Sequence, residues 1–130
     1  MDFEFTKDQK AVLKLCRDFA DAEIRPRIRE LERSNEFPQD IFRKMGKLGL
    51  FTLCVPRAAW GTSRGSLSYC LAMKEISRAD SGISVAMGVT NMVAETIYKF
   101  GNFDQQGTYL PRIASGEFVA GAFALTENSA

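Results

Sequence analysis

Histidine is missing altogether from the 130 residues. That excludes Ser-His-Asp and Cys-His catalytic machinery and any imidazole metal ligand. Cysteine is scarce. Cys16, Cys54 and Cys70 are odd in number and lack CxxC spacing, so they read as reduced, mostly buried thiols rather than a disulfide frame or a zinc site. An excess of one charge is missing too. Seventeen basic residues against sixteen acidic ones leave a net charge of +1, with the signs interspersed. Nothing in that balance favours nucleic acid or an anionic membrane. A long apolar run is also lacking. The longest charge-free stretch runs from Ser81 to Ala94, too short and too polar to span a bilayer. The opening MDFEFTKDQK has no basic-then-apolar signal-peptide pattern. The expectation is a soluble protein of the cytoplasm, or of the mitochondrial matrix in a eukaryote.

What is present is an ordinary globular mixture, 45% hydrophobic and 25% charged, long enough for one domain with a core. Thr6 followed by Gln9 has capping-box spacing. From there Val12, Cys16, Phe19, Ala20, Ile24, Ile28 and Leu31 recur in steps of three and four, predicting a helix over 7–33 with a kink at Pro26. Asp21–Arg25 and Glu23–Arg27 are spaced as i,i+4 ion pairs on its wet face. Ser34-Asn35 closes it. Pro38 opens a short second helix carrying Ile41, Phe42 and Met45, stopped by Gly46 and Gly49. Leu50–Val55 is a buried extended segment or a tight turn, and 57–65 is a loop. A third helix starts near Ser66, with Tyr69, Ala72, Met73 and Ile76 on one face. Asp80-Ser81-Gly82 breaks it and caps a fourth, 83–100, which is apolar almost all round and therefore expected at the centre. A fifth, short helix spans 104–114.

After Ser115-Gly116 the period changes, and Phe118 to Leu125 (FVAGAFAL) reads as a β-strand with nothing to pair with. The expected fold class is all-α: an orthogonal bundle of about five helices, with one terminal β-strand beginning a truncated second domain. The expected domains are a helical one over 1–115 and the incomplete start of a β domain over 116–130.

Three stretches resemble the acyl-CoA dehydrogenase family. They are IYKFGNFDQQGTYLPRIASGE (97–117), FALTE (123–127), and the helical phrases AEIRPR (22–27) and KEISRADSGIS (74–84). They run along nearly the whole chain, in order and at family-like spacing. The resemblance implies FAD-dependent removal of two hydrogens across the α,β bond of an acyl-CoA thioester. A glutamate takes one as a proton, and the flavin takes the other as hydride. It implies a helical, a β and a second helical domain, assembly as a homo-oligomer (a tetramer) when full length, and electron-transfer flavoprotein as redox partner. By that resemblance Phe123, Leu125 and Thr126 are cofactor-binding, against the isoalloxazine. The alternative for them is a plain core strand. Ser84, Val85 and Gly88 match positions lining the acyl-chain pocket, and are the substrate-binding candidates; Gly88 serving only close helix packing is the alternative. No metal site is implied.

The chain departs from the family where relatives read E-E-Y-G-G. Here Arg57-Ala58-Ala59-Trp60-Gly61 stands instead, with Trp60 expected as a half-buried lid over the core and a partner-facing anchor as the alternative. Asn128-Ser129 replaces the usual Pro-Gly, and the sequence stops at Ala130, before the family's Gly-Ser-Asp. The catalytic glutamate belongs to the absent C-terminal helical domain, so none of Glu75, Glu95 and Glu127 takes that role, and no catalytic residue is assigned. The expectation is an inactive N-terminal fragment with weak or absent FAD binding. Its rival is a free-standing helical protein-interaction module without catalysis, based on the Met-containing faces at Met73, Met87 and Met92.

Overall fold

A computed structural model describes residues 4–128. Among these every regular element is helical. The first run begins with α1, Lys7–Phe19, whose N-cap Thr6 forms the capping box with Gln9 that the spacing predicts. It continues through a π-helical turn, Ala20–Ile24, and a 3₁₀ turn, Arg25–Arg27, into α2, Ile28–Ser34. The expected kink at Pro26 is therefore spread over eight residues, because a proline inside a helix costs one backbone bond and its neighbours rewind to absorb the loss. Asn35, left-handed at φ 54°, caps the run.

The other elements are α3 (Gln39–Lys47), α4 (Gly65–Ser77), α5 (Ser81–Phe100) and α6 (Phe103–Ala114). Counting 7–34 as one run gives the five helices expected. α1 lies along α4, α4 along α5, and α5 along α6. Leu50–Val55 is a turn-rich plug rather than an extended segment. Leu50, Phe51, Leu53 and Val55 are almost wholly enclosed, and Thr62, Ser63 and Arg64 donate backbone N–H bonds to Thr52, Val55 and Leu53. The 57–65 loop carries a 3₁₀ turn at Arg57–Ala59. Trp60 follows it, half exposed at φ 61°, with its ring end close to Gly107 of α6.

Four expectations need correction. The first is the β-strand at Phe118–Leu125. That segment has no regular structure, and no strand forms among the described residues. Its apolar composition is strand-like, yet a strand exists only by bonding a neighbour. Ser129 and Ala130, the last two residues of the expected 116–130 unit, lie outside the described residues. The second is the Glu23–Arg27 pair. Asp21 does meet Arg25, at 3.1 Å, but Glu23 takes Lys44 at 2.6 Å and Arg27 turns to Asp40. The pair straddles the π-to-3₁₀ junction, where i,i+4 neighbours no longer stack. α5 is central on one side only: Met87, Gly88 and Ala94 are buried, while Val85 and Met92 face outward. All three cysteines are free. Cys16 is buried, Cys54 partly so, and Cys70 is exposed, so one of the three departs from the expected burial.

Candidate functional site

The segment carrying the sequence-nominated cofactor residues begins where α6 ends. Gly116 is left-handed at φ 75° and lies against α3; a Cβ on Gly46 would come within 2.4 Å of its Cα. Two glycines face to face let the turn seat backbone on backbone. Arg112 holds the next two residues. Its Nε donates to Glu117 at 2.8 Å, and its guanidinium sits 4.2 Å from the centre of the Phe118 ring. That hydrogen bond keeps the Glu117 carboxyl below the usual carboxylate range. Phe118 N–H donates to Arg112 O at 3.1 Å, and the Phe118 and Val119 side chains pack against the core.

Two residues later the chain crosses α5. Gly121 N–H donates to Thr90 Oγ1 at 2.9 Å. The Thr90 hydroxyl in turn donates to Ala86 O at 2.7 Å. Beyond this point residues 122–128 are exposed. Phe123 is half exposed, Leu125 is 86% exposed and Thr126 is open to solvent. The three cofactor candidates therefore share one solvent-facing strip. Exposed backbone outside any helix or sheet presents N–H and C=O groups open to other partners, which suits the polar edge of a flavin ring. A threonine hydroxyl adds one more donor and acceptor.

The three acyl-pocket candidates are divided. Asp80 caps α5, accepting from Ile83 N–H at 2.7 Å, and so sets the helix phase. Ser84 is then turned inward, donating to Met73 O at 3.2 Å. Gly88 faces the same way, where a Cβ would stand 3.1 Å from both Met73 Cε and Tyr69 Oη. Both residues serve close α4–α5 packing. Val85 points outward and is 61% exposed. None of the three lines the nearby clefts. One cleft, about 340 Å³, runs between Val93, Ile97, Tyr109, Ile113 and the Phe118–Gly121 stretch. Another, about 340 Å³, continues along Thr96, Ile97, Phe100 and Tyr109.

Sequence reasoning missed the polar residues that hold this arrangement. Asn91 is enclosed within α5; its Nδ2 donates to Leu50 O at 2.7 Å and Met87 O at 3.0 Å, and its Oδ1 accepts from Leu53 N–H at 3.0 Å. The available signal was a polar pair, Thr90-Asn91, in the middle of the most apolar helix. Glu75 is an ion-pair partner. Its side chain is 1% exposed and takes both Nε and Nη2 of Arg17 at 3.0 Å, with Arg78 Nε at 3.3 Å. The Arg17 hydrogen bond holds its carboxyl below the ordinary range. Burial, and then the charge of Glu75, pushes the Cys16 thiol up to about 12. Glu95 pairs with Lys99 at 2.6 Å, and Glu127 is exposed. Among the described residues no cluster of acidic or cysteine side chains could hold a metal, and no helix is long and apolar enough to cross a membrane.

Residues 6–117 match the family model described as the acyl-CoA dehydrogenase N-terminal domain. A probable acyl-CoA dehydrogenase of Bacillus subtilis is 39% identical over 132 aligned residues, covering 100% of this chain and 34% of its own length. A structure of a glutaryl-CoA dehydrogenase with glutaryl-CoA superposes with a TM-score of 0.90 at 30% identity, over 100% of this chain and 34% of that one. A structure reported with the electron transferring flavoprotein of Acidaminococcus fermentans reaches 0.92 at 34% identity, over 100% and 34%. The chain thus spans about a third of the length of these relatives. By its helical order and by a family match that runs from the first cap to the end of α6, the chain belongs to the acyl-CoA dehydrogenase family, as its N-terminal domain.

Proposed function

We propose that this chain is the N-terminal helical wall of an FAD-dependent enzyme that dehydrogenates acyl-CoA thioesters between Cα and Cβ. The observation that carries the proposal is the strip 122–128. It leaves the helical body at Gly121, exposed along its length, and holds the FALTE phrase. In this reading Phe123, Leu125 and Thr126 hold the isoalloxazine, through main-chain groups and the threonine hydroxyl. When bound, FAD supplies the acceptor for the hydrogens removed from the acyl chain. The role of this chain is to hold and to exclude water: apolar side chains at the strip and along α5 shield the reacting carbons. Of the three acyl-pocket candidates Val85 alone faces outward, 61% exposed, and is the one placed to meet an acyl chain directly, while Ser84 and Gly88 act behind it by keeping α4 and α5 close.

The division is a helical domain over 1–115 and the opening of a β domain over 116–130. Acyl-CoA is the substrate and electron-transfer flavoprotein the electron acceptor. The whole protein works as a homotetramer, consistent with the apolar side chains left uncovered on α5 and α6. No residue in the chain is assigned as the base, so the 130 residues by themselves do not dehydrogenate acyl-CoA, and they bind FAD weakly or not at all. The test adds acyl-CoA anaerobically to the full-length protein carrying this domain. The bound flavin absorbance bleaches, whereas the 130-residue chain titrated with FAD leaves the flavin spectrum and fluorescence unchanged. Full-length protein that keeps its flavin colour with every acyl-CoA tried refutes the proposal.

A second reading is favoured by Phe100 and Phe103, exposed 82% and 85% at the α5–α6 corner. It is a free-standing helical module that binds another protein and catalyses nothing. Size exclusion separates the two. A stable, folded monomer recovered without any further domain supports the module, and recovery only alongside the remainder of the enzyme supports the dehydrogenase.

A further inference from the structure

The cofactor strip has no regular structure of its own, so something outside it must fix its position. Two fastenings lie upstream. The first, at Arg112–Phe118, ties the chain to α6. The second, at Thr90–Gly121, ties it to α5. The second is the last hold before the strip.

Thr90 is suited to that role by its own constraints. It is fully buried in the middle of α5, and its hydroxyl proton is spent on Ala86 O at 2.7 Å. The oxygen lone pairs are thus directed at the Gly121 N–H, and the hydroxyl cannot rotate away without losing both bonds. Gly121 is equally constrained. A Cβ there would lie 2.8 Å from Val93 Cγ2, 3.0 Å from Val93 Cβ and 3.3 Å from Thr90 Cα. Glycine lets the backbone settle directly onto the helix surface, and the hydrogen bond sets its register along the helix.

From this geometry we infer that Thr90 is a positioning residue for the cofactor strip: its hydroxyl fixes where the chain leaves the helical body. It thereby fixes where Phe123, Leu125 and Thr126 stand. The inference rests on the reading that these three face the flavin. Thr126 is five residues from Gly121, so it stays within about 18 Å of the clamp even fully extended. A small shift at the clamp is carried directly to the strip. Rate depends steeply on the placement of groups around the reacting atoms, and displacements of about 1 Å can cost up to about a hundredfold.

The experiment compares wild type, Thr90→Val, Thr90→Ser and Gly121→Ala in the full-length flavoenzyme. Valine keeps the shape and removes the hydroxyl; serine keeps the hydroxyl. The T90V enzyme is expected to retain flavin with a shifted visible band, and to lose about tenfold in kcat with KM for acyl-CoA within about twofold. T90S restores the wild-type spectrum and rate, and G121A reproduces the T90V spectral shift. In hydrogen exchange on the same proteins, T90V accelerates the Gly121 amide while leaving α4 and α5 protected. An unchanged Gly121 amide in T90V disproves the clamp. A faster amide with wild-type spectrum and kcat disproves the positioning role. If wild-type protein binds no flavin, the dehydrogenase reading has failed instead, and exchange at Gly121 still decides the clamp.

Discussion

At Glu75 a carboxylate is carried into the α1–α4 seam with only 1% of its side chain in contact with solvent. Burial alone would favour the neutral acid, yet the two-pronged bond from Arg17 outweighs it and lowers the pKa. Arg17 is half exposed, so solvent screens part of the attraction, and the pair stabilises less than a fully enclosed one. Glu75→Gln is expected to cost about 1–3 kcal/mol in urea unfolding, through the loss of charge-assisted bonds to Arg17 and Arg78. The acid dependence follows from the sign of the shift. A lowered folded pKa gives stability that is complete above the unfolded value near ~4.3 and is lost as pH falls through the folded value. Between neutrality and strong acid, wild type therefore loses more stability than Glu75→Gln. Equal losses in acid titrations followed by circular dichroism would exclude Glu75 as a contributor. Gly46 yields a steric prediction. Gly46→Ala sets a methyl 2.4 Å from Gly116 Cα, and backbone cannot yield cheaply, so about 1–3 kcal/mol is lost. Thermal unfolding checks it.

Among the elements, those whose signals are local were legible in advance. The Thr6/Gln9 box, the start at Pro38, the Asp80 cap and the closing Asn35 each act within a turn of themselves. The π turn at Ala20–Ile24 was not legible, because it answers to Pro26 and to partners such as Lys44 that lie far along the chain. The 118–125 segment differs from its strand reading for the complementary reason: an apolar run such as FVAGAFAL signals strand propensity, but pairing depends on a neighbour. Of the candidate site, the strip is nominated by its FALTE phrase alone. Thr90 and Asn91 are not nominated, since a helix pattern does not reveal which polar residue is enclosed. Asn91 is the strongest test at this scale. It joins α5 to the 50–53 plug by bonds to Leu50 and Leu53. Asn91→Leu leaves a buried N–H and a buried C=O without partners, and a loss of about 2–4 kcal/mol is expected. A loss below ~0.5 kcal/mol in equilibrium unfolding would rule out the plug as a joint. α6 begins with a second capping box, Asn102 with Gln105; Asn102→Ala should cost about 1 kcal/mol, read the same way.

Across the whole molecule, the most exposed of the large apolar side chains stand at one corner and in the tail. Phe100, Phe103 and Leu125 are each more than four-fifths exposed. Scattered apolar side chains are ordinary on a surface, but two phenylalanines this exposed at one helix corner mark a face made to be covered. The 130-residue chain is therefore expected to bind a hydrophobic dye and to self-associate as concentration rises. Phe100→Ser with Phe103→Ser should reduce both, as followed by dye fluorescence and sedimentation. The distribution of thiols has a practical consequence. Only a thiolate adds readily to maleimide, and Cys16 is fully enclosed with its pKa pushed up to about 12. Cys70 lies open on α4. In the native protein at neutral pH the reagent takes Cys70 first, Cys54 slowly, and Cys16 only in molecules that have opened. Alkylation of Cys16, read by peptide mass, thus serves as a clock for global opening, already wired into the natural sequence.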